Sequence, residues 1–232
     1  QKIVSALLTA MEKDTFWRIR RAALSVVANI YSPDPQPGQE RPAAKIDEQS
    51  LQAVIRMTKD ANSLVRGDAL ELLGETRDAK YADMFIEGLN DKSYSVIDQS
   101  ALALGRVKGP KAIDALAKLT IGNSWRGRIE IAGLTGLADL GDKKAFDPAF
   151  RLASDKSRPL GLRLAALGVV GATGKGDARA YPLIFEQFKR AFDANDFNDL
   201  VRSIEAIIRL ADPPDDFNDL VRSIEAIIRL AD

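Results

Sequence analysis

The sequence predicts an all-α fold, an α-α superhelix of about six antiparallel helix pairs. Three observations predict it. Gly74, Gly105 and Gly136 recur 31 residues apart, each closing an apolar, Ala-rich stretch. Apolar residues between these stretches recur at helical spacing, as Ala112, Ile113, Leu116 and Leu119 do. Alternation with period two, the mark of a half-buried strand, is absent.

Taken in order, the long helix of each pair (helix A) reads from "WRIRRAALSVVANI", "LVRGDALELLGE", "VIDQSALALGRV", "GRIEIAGLTGLADL" and "LGLRLAALGVVGAT". Aligning these segments puts Arg20, Arg66, Ile97, Arg128 and Arg163 in one column. Ala28, Gly74, Gly105, Gly136 and Gly171 fall in a second. Arg202 begins a weaker sixth copy, with Leu210 in place of the small residue. Six positions before the arginine column stand Asp14, Asp60, Asp91 and Asp196. An Asp there is helix-start chemistry, since its carboxylate satisfies free N–H groups and complements the dipole. Trp17, Tyr94 and Trp125 occupy one position of the repeat. For Trp17 and Trp125 the readings are stacking on a ligand or packing between repeats, and their equivalent positions favour packing.

The shorter helices (helix B) are expected over Asp47–Lys59, Lys80–Leu89, Pro110–Leu119, Lys143–Ala153 and Tyr181–Phe192. Such short pairs cannot bury their own apolar faces, so each leans on the next in one continuous core. The glycines late in helix A admit two readings. Either they let two helices cross closely, or they are helix C-caps.

Two stretches depart from the period within what is read as a single repeat domain, 1–232. Residues 32–46, "SPDPQPGQERPAAKI", hold four of the ten prolines and form an extended polar insertion, either a docking loop or a plain surface insertion. "DFNDLVRSIEAIIRLAD" occurs at 196–212 and again, identical, at 216–232. The other repeats share only scattered positions, so this copy has a different origin. It is an introduced duplication, an artefact of sequence assignment, or a very recent natural duplication. The second copy is expected to pack antiparallel to the first. Neither end of the chain carries a polar cap, and "KIVSALLTAMEKD" reads as a lone helix B. The expectation is a piece of a longer protein, or end-to-end self-association through the apolar C-terminal helix.

Composition narrows the function. The chain has 232 residues, 33 basic and 33 acidic, with no His and no Cys. Zinc sites built on imidazole or thiolate, His-dependent nucleophiles and disulfides are therefore excluded. The neutral balance argues against nucleic acid as a partner. No run of roughly 18 apolar residues spans a membrane. Glu71, Glu75, Asp78 and Asp83 surround one turn but match no calcium-loop spacing. "GATGKGDA" follows a helix, where a phosphate loop would follow a strand. No catalytic, cofactor or metal residue is assigned. Lys111, Lys118, Lys143, Lys144 and Arg151, all on B helices, are the candidate docking patch.

The segments "KDANSLVRGDALELLG", "NDKSYSVIDQSALALG" and "LGDKKAFDPAF" resemble the short form of the HEAT-like repeat family. The resemblance implies an inter-repeat ladder of turn Asp and helix A Arg, which would engage Asp14, Arg20, Asp60, Arg66, Asp91, Arg128 and Arg163. Ile97 interrupts it. "MEKDTFWRIRRAAL" is similar to the C-terminal helical domain of the aminopeptidase N family of zinc metallopeptidases. That similarity implies a non-catalytic scaffold packed on a catalytic domain outside this chain, limiting substrate access. The alternative is a free-standing HEAT-like module that binds another protein. Lesser alternatives are a bilin lyase-type HEAT protein and a HEAT-like DNA glycosylase. An iron hydroxylase of this fold would need His-Glu ligand pairs that the chain lacks.

Overall fold

The structure, a computed structural model, describes residues 2–35 and 41–210. The described residues form twelve α-helices and no strand. In order they are α1 (Lys2–Lys13), α2 (Trp17–Tyr31), α3 (Glu48–Met57), α4 (Ser63–Glu75), α5 (Ala82–Gly88) and α6 (Tyr94–Val107). There follow α7 (Ala112–Leu119), α8 (Arg128–Leu140), α9 (Phe146–Ser154), α10 (Leu160–Thr173), α11 (Ala180–Asp193) and α12 (Phe197–Leu210). Single 3₁₀ turns precede α5, α8 and α9. The duplicated stretch 216–232, and with it the expected antiparallel packing, lies outside the described residues.

The chain divides into a first compact unit, Gln1–Leu116, and a second that begins at Ala117. The boundary falls within α7. In the first unit α4 packs against both α2 and α6, forming a layer of long helices. Helices α1, α3 and α5 cover it, α1 on α2, α3 on α4 and α5 on α6. Fully buried Met11, Leu24, Val54, Leu73, Phe85 and Leu104 form the core between the layers. In the second unit α10 is central and packs on α8, α9 and α12, while α11 lies against α12. Leu134, Leu167, Val170 and Ile184 are buried there. Each such side chain contributes about 1.5–3 kcal/mol of hydrophobic stabilisation, and this carries helices too short to persist alone.

Two of the small residues show why they stand late in helix A. Gly74 lies inside α4, and a Cβ there would stand 2.6 Å from the Ala103 Cβ and 2.9 Å from its Cα. Gly171 lies inside α10, and a Cβ would come within 2.9 Å of the Ala206 Cα, with the Ala206 carbonyl oxygen closer still. Both glycines serve close helix crossing, not capping. The left-handed glycine cap of α8 is Gly141, with φ 67°, five residues beyond Gly136.

The turn aspartates also act differently from expectation. Asp14, Asp60 and Asp91 do not cap their helices. Each accepts, at 2.8 Å, from the backbone N–H two residues on: Phe16, Asn62 and Ser93 respectively. Those acceptor-bound residues are the N-caps themselves. The carboxylate shapes an Asx-turn that delivers the chain into the helix. Asp196 does cap, accepting from the Asp199 N–H at 3.2 Å.

Among the described residues one buried side-chain polar atom has no partner. The Ser100 hydroxyl, on α6, makes no hydrogen bond among the described residues. It presses on Gly88, where a Cβ would meet the hydroxyl and stand 3.1 Å from the Ser100 Cβ. Burying a hydroxyl without a partner costs about 1–3 kcal/mol, so Ser100→Ala is expected to leave stability unchanged or raise it by about 1 kcal/mol. Chemical denaturation of the two proteins checks this; a loss above about 1 kcal/mol would mean the hydroxyl has a partner.

Candidate functional site

The first unit is tied together by a repeated arginine constellation. Arg20 donates to both Asp60 oxygens, Nε–Oδ2 at 2.6 Å and Nη2–Oδ1 at 2.8 Å. Its Nη1 donates to the Asp14 and Thr15 carbonyls at 3.0 and 3.2 Å. One repeat later Arg66 does the same to Asp91, at 3.0 and 2.9 Å. Its Nη1 reaches the Asp60 and Ala61 carbonyls at 2.8 and 3.1 Å. Each guanidinium thus binds the next turn with its fork and its own turn with its remaining edge. Arg20 holds the Asp60 carboxyl below the usual carboxylate range. In the second unit the column behaves otherwise, since the Arg163 Nε donates to the Ala153 carbonyl at 3.1 Å. Arg128 takes part in interactions of its own, and Ile97 contributes no rung.

Two clefts open on the first unit. One, of about 430 Å³, is lined by Leu70, Met84, Val96, Asn90 and the Arg66–Asp91 rung, with Lys59 and Glu87 paired at 2.5 Å on its rim. The other, of about 310 Å³, lies between α2, α4 and the segment that leaves α2. There Arg21 forks onto Asp68 at 2.6 and 3.3 Å, and Arg41 binds Asp34 at 2.5 Å. Arg106, on α6, holds the buried Glu75 at 2.6 Å. Glu71 stands at the mouth of this cleft, where partial desolvation and the neighbouring Asp68 raise its carboxyl above the usual range. The described parts of the insertion are pinned to the same place. The Ala44 N–H donates to the Glu75 carbonyl at 2.8 Å, and Arg77 donates to the Arg41 carbonyl at 2.8 Å.

Three of the four acids singled out around one turn go to different partners. Glu75 binds Arg106, Asp78 binds Lys80 at 2.9 Å, and Asp83 binds Lys111 at 3.0 Å. No group of acids among the described residues is arranged to hold a metal ion. Within the candidate docking patch, Lys143 and Lys144 lie in the turn before α9, Arg151 lies on α9 and Lys118 on α7. Lys111 belongs to the first unit and is occupied by Asp83.

Sequence reasoning passed over an aromatic assembly in the second unit. The Arg179 guanidinium lies 5.1 Å from the ring centres of both Phe146 and Phe150. It also donates to Asp147 at 2.9 Å and to Asp177 at 2.7 Å, and pulls the Asp177 carboxyl down to about 2. Along α11, Tyr181, Phe185, Phe188 and Phe192 stack in sequence with centroids 5.7, 6.1 and 6.4 Å apart. Their spacing of three and four residues was the available signal.

Trp125 corrects another expectation. It was to pack between repeats, yet it is 64% exposed, and Tyr94 at the equivalent position is exposed as well. Its loop turns through Arg126 at φ 54° and Gly127 at φ 68°, which swings the indole away from the core. Ile121, four residues earlier, is 85% exposed.

Residues 50–135 match the family model of HEAT repeats. No curated protein shows significant sequence similarity to the chain. Among solved structures, the complex of CpcE and CpcF of phycocyanin lyase from Nostoc sp. PCC7120 is similar, with TM-score 0.53 and 21% identity. The match covers 76% of this chain and 70% of that one. Human deoxyhypusine hydroxylase in complex with glycerol matches with TM-score 0.47 and 13% identity, over 91% of this chain and 86% of that one. The HEAT-like, all-helical character stands on the family match and on the first of these structures.

Proposed function

We propose that the chain is a non-catalytic helical-repeat module that binds another protein. The observation that carries this reading is how the charged side chains of the first unit are used. Arg20, Arg21, Arg66 and Arg106 are each committed to a carboxylate of a neighbouring repeat, as in the two Arg–Asp rungs. Groups so engaged stiffen a surface and are poorly placed to move protons. The HEAT match over residues 50–135 supports the reading, and so does the fold likeness to a protein whose structure is a complex of two proteins.

The metallopeptidase-domain reading is a narrower version of this one, in which the bound protein is a catalytic domain of the same polypeptide. It rests on "MEKDTFWRIRRAAL", and neither solved structure above is a peptidase. A lyase-type reading has the fold of the phycocyanin lyase complex in its favour, at an identity that speaks for fold alone.

The purified chain is expected to form a saturable complex with a protein captured on it, identified by mass spectrometry and then purified. Calorimetry of the two purified components checks this. Fluorogenic peptides and a free tetrapyrrole, offered to the chain alone, should give no turnover and no change in absorption spectrum. Peptide cleavage or tetrapyrrole attachment by the isolated chain would replace the module reading with an enzymatic one.

A further inference from the structure

We propose that the loop between α7 and α8 is the anchor of the interaction surface, and that it receives an acidic segment of the partner protein carrying an apolar side chain. The inference rests on the module reading and names the partner's chemistry.

Ile121 and Trp125 are the most exposed pair of large apolar side chains within one short loop of the described residues. Two large apolar side chains left in water on one short loop mark an interaction site more strongly than one isolated side chain does. Trp is also among the residues most enriched where truncation costs binding most.

The loop holds this pair on a fixed frame. Glu130, on α8 and 1% exposed, lies beneath it. Its Oε1 accepts from the Ser124 N–H at 2.8 Å, and its other oxygen accepts from the Ser124 hydroxyl. That hydroxyl in turn accepts from the Ile129 N–H at 3.0 Å. Gly122 leaves no room for a side chain, since a Cβ would stand 2.8 Å from the Glu130 Oε1. At the far side, Gly127 takes its positive φ with Leu162 pressed to about 3.0 Å of where a Cβ would lie. A loop fixed in this way loses little conformational freedom on binding.

Charge selects the occupant. From Lys118 to Gly127 the chain carries Lys118 and Arg126 and no acidic residue. The Arg126 guanidinium stands 5.3 Å from the Trp125 ring centre, so a cation borders the apolar face itself. The nearest acid along the chain, Glu130, is buried and consumed by Ser124. A positive rim around an apolar tip steers acidic segments in and repels basic ones. Among the described residues no amphipathic helix beside the loop lies open to a lipid surface. The flanking helices bury their apolar faces: Ala112 and Leu116 on α7, Leu134 and Leu137 on α8.

The test uses the full chain with Trp17→Phe, which leaves Trp125 as its only tryptophan. The probes are a synthetic peptide of Glu and Leu in helical period, its Lys and Leu counterpart, and vesicles of phosphatidylcholine with phosphatidylserine. The Glu/Leu peptide should shift Trp125 emission to shorter wavelength, saturably, and bind at least about 10-fold more tightly than the Lys/Leu peptide. Trp125→Ala should weaken that binding about 30-fold by calorimetry, and Lys118→Glu with Arg126→Glu about 10-fold. Thermal unfolding of each variant verifies that it is folded. Equal binding of the two peptides, no binding of the Glu/Leu peptide, or an emission shift with vesicles but not with that peptide each overturns the proposal. If the purified partner binds Trp125→Ala undiminished, this loop is wrong while the module reading stands. If the isolated chain cleaves peptides or attaches a tetrapyrrole, the module reading itself falls, whatever the Glu/Leu peptide does.

Discussion

Gly171→Ala is expected to destabilise the second unit by about 2 kcal/mol, although alanine is the better helix former. Propensity alone favours alanine over glycine inside α10 by about 1 kcal/mol. Geometry outweighs it. The added Cβ would meet the Ala206 carbonyl oxygen, its Cα at 2.9 Å and its carbonyl carbon at 3.0 Å. All three atoms belong to the α12 backbone, so no side-chain rotation relieves the clash. The two helices must separate, which loosens the packing around Leu167, Val170 and Ile207. Overpacking of this kind costs about 1–3 kcal/mol and occasionally more. Gly168, one turn earlier on the same helix, is the control. A Cβ there meets nothing within 4 Å, so Gly168→Ala should stabilise by about 0.5–1 kcal/mol. Urea denaturation reads both changes as opposite midpoint shifts at unchanged slope. Two shifts of the same sign would mean that α10 and α12 do not cross through Gly171.

The glycine spacing was legible because close crossing tolerates only the smallest side chains, so the requirement is written in residue type. The arginine and aspartate columns were legible for a similar reason, as a fork needs a carboxylate at a fixed distance. What the columns could not convey is which atoms each residue uses. Asp60 looked like a helix cap, and its Oδ1 in fact serves the residue before the first helical turn. Nor does a repeat position reveal whether a neighbour covers it. Trp125 shares a column with Trp17, but two left-handed residues, Arg126 and Gly127, follow it and turn it outward. Arg179 escaped notice because its partners lie on another helix and in its own turn, at Phe146, Phe150, Asp147 and Asp177. The lysines of the expected patch were grouped by helix type, and helix type says nothing about local ion pairing such as that of Lys111 with Asp83.

Arg20→Ala is expected to cost the first unit about 3–5 kcal/mol at neutral pH, the range for a buried carboxylate that loses its cation. The Asp60 side chain is only 4% exposed, and Arg20 itself 14%. Without the guanidinium, Asp60 keeps the Asn62 N–H and the more distant charge of Arg66. The Asp14 and Thr15 carbonyls lose their donor as well. The pH dependence gives a second readout with a definite sign. Arg20 holds the folded-state carboxyl of Asp60 below its ordinary value of 3.8. On acidification the unfolded chain therefore takes up the proton first, and this contribution to stability, fully present above that value, is lost as pH falls through the folded-state value. In Arg20→Ala the buried carboxyl has lost its main stabiliser, so protonation relieves the folded state sooner. The gap between parent and variant should narrow from pH 7 to pH 3. Adding Asp60→Asn to Arg20→Ala should recover part of the loss, because the uncompensated charge is gone. The Arg66–Asp91 rung is more open, at 19% and 18% exposure, so Arg66→Ala should cost less. A loss below about 1 kcal/mol for Arg20→Ala, flat with pH, would reduce the rung to an ordinary surface ion pair and leave the register of the first unit to helix packing alone.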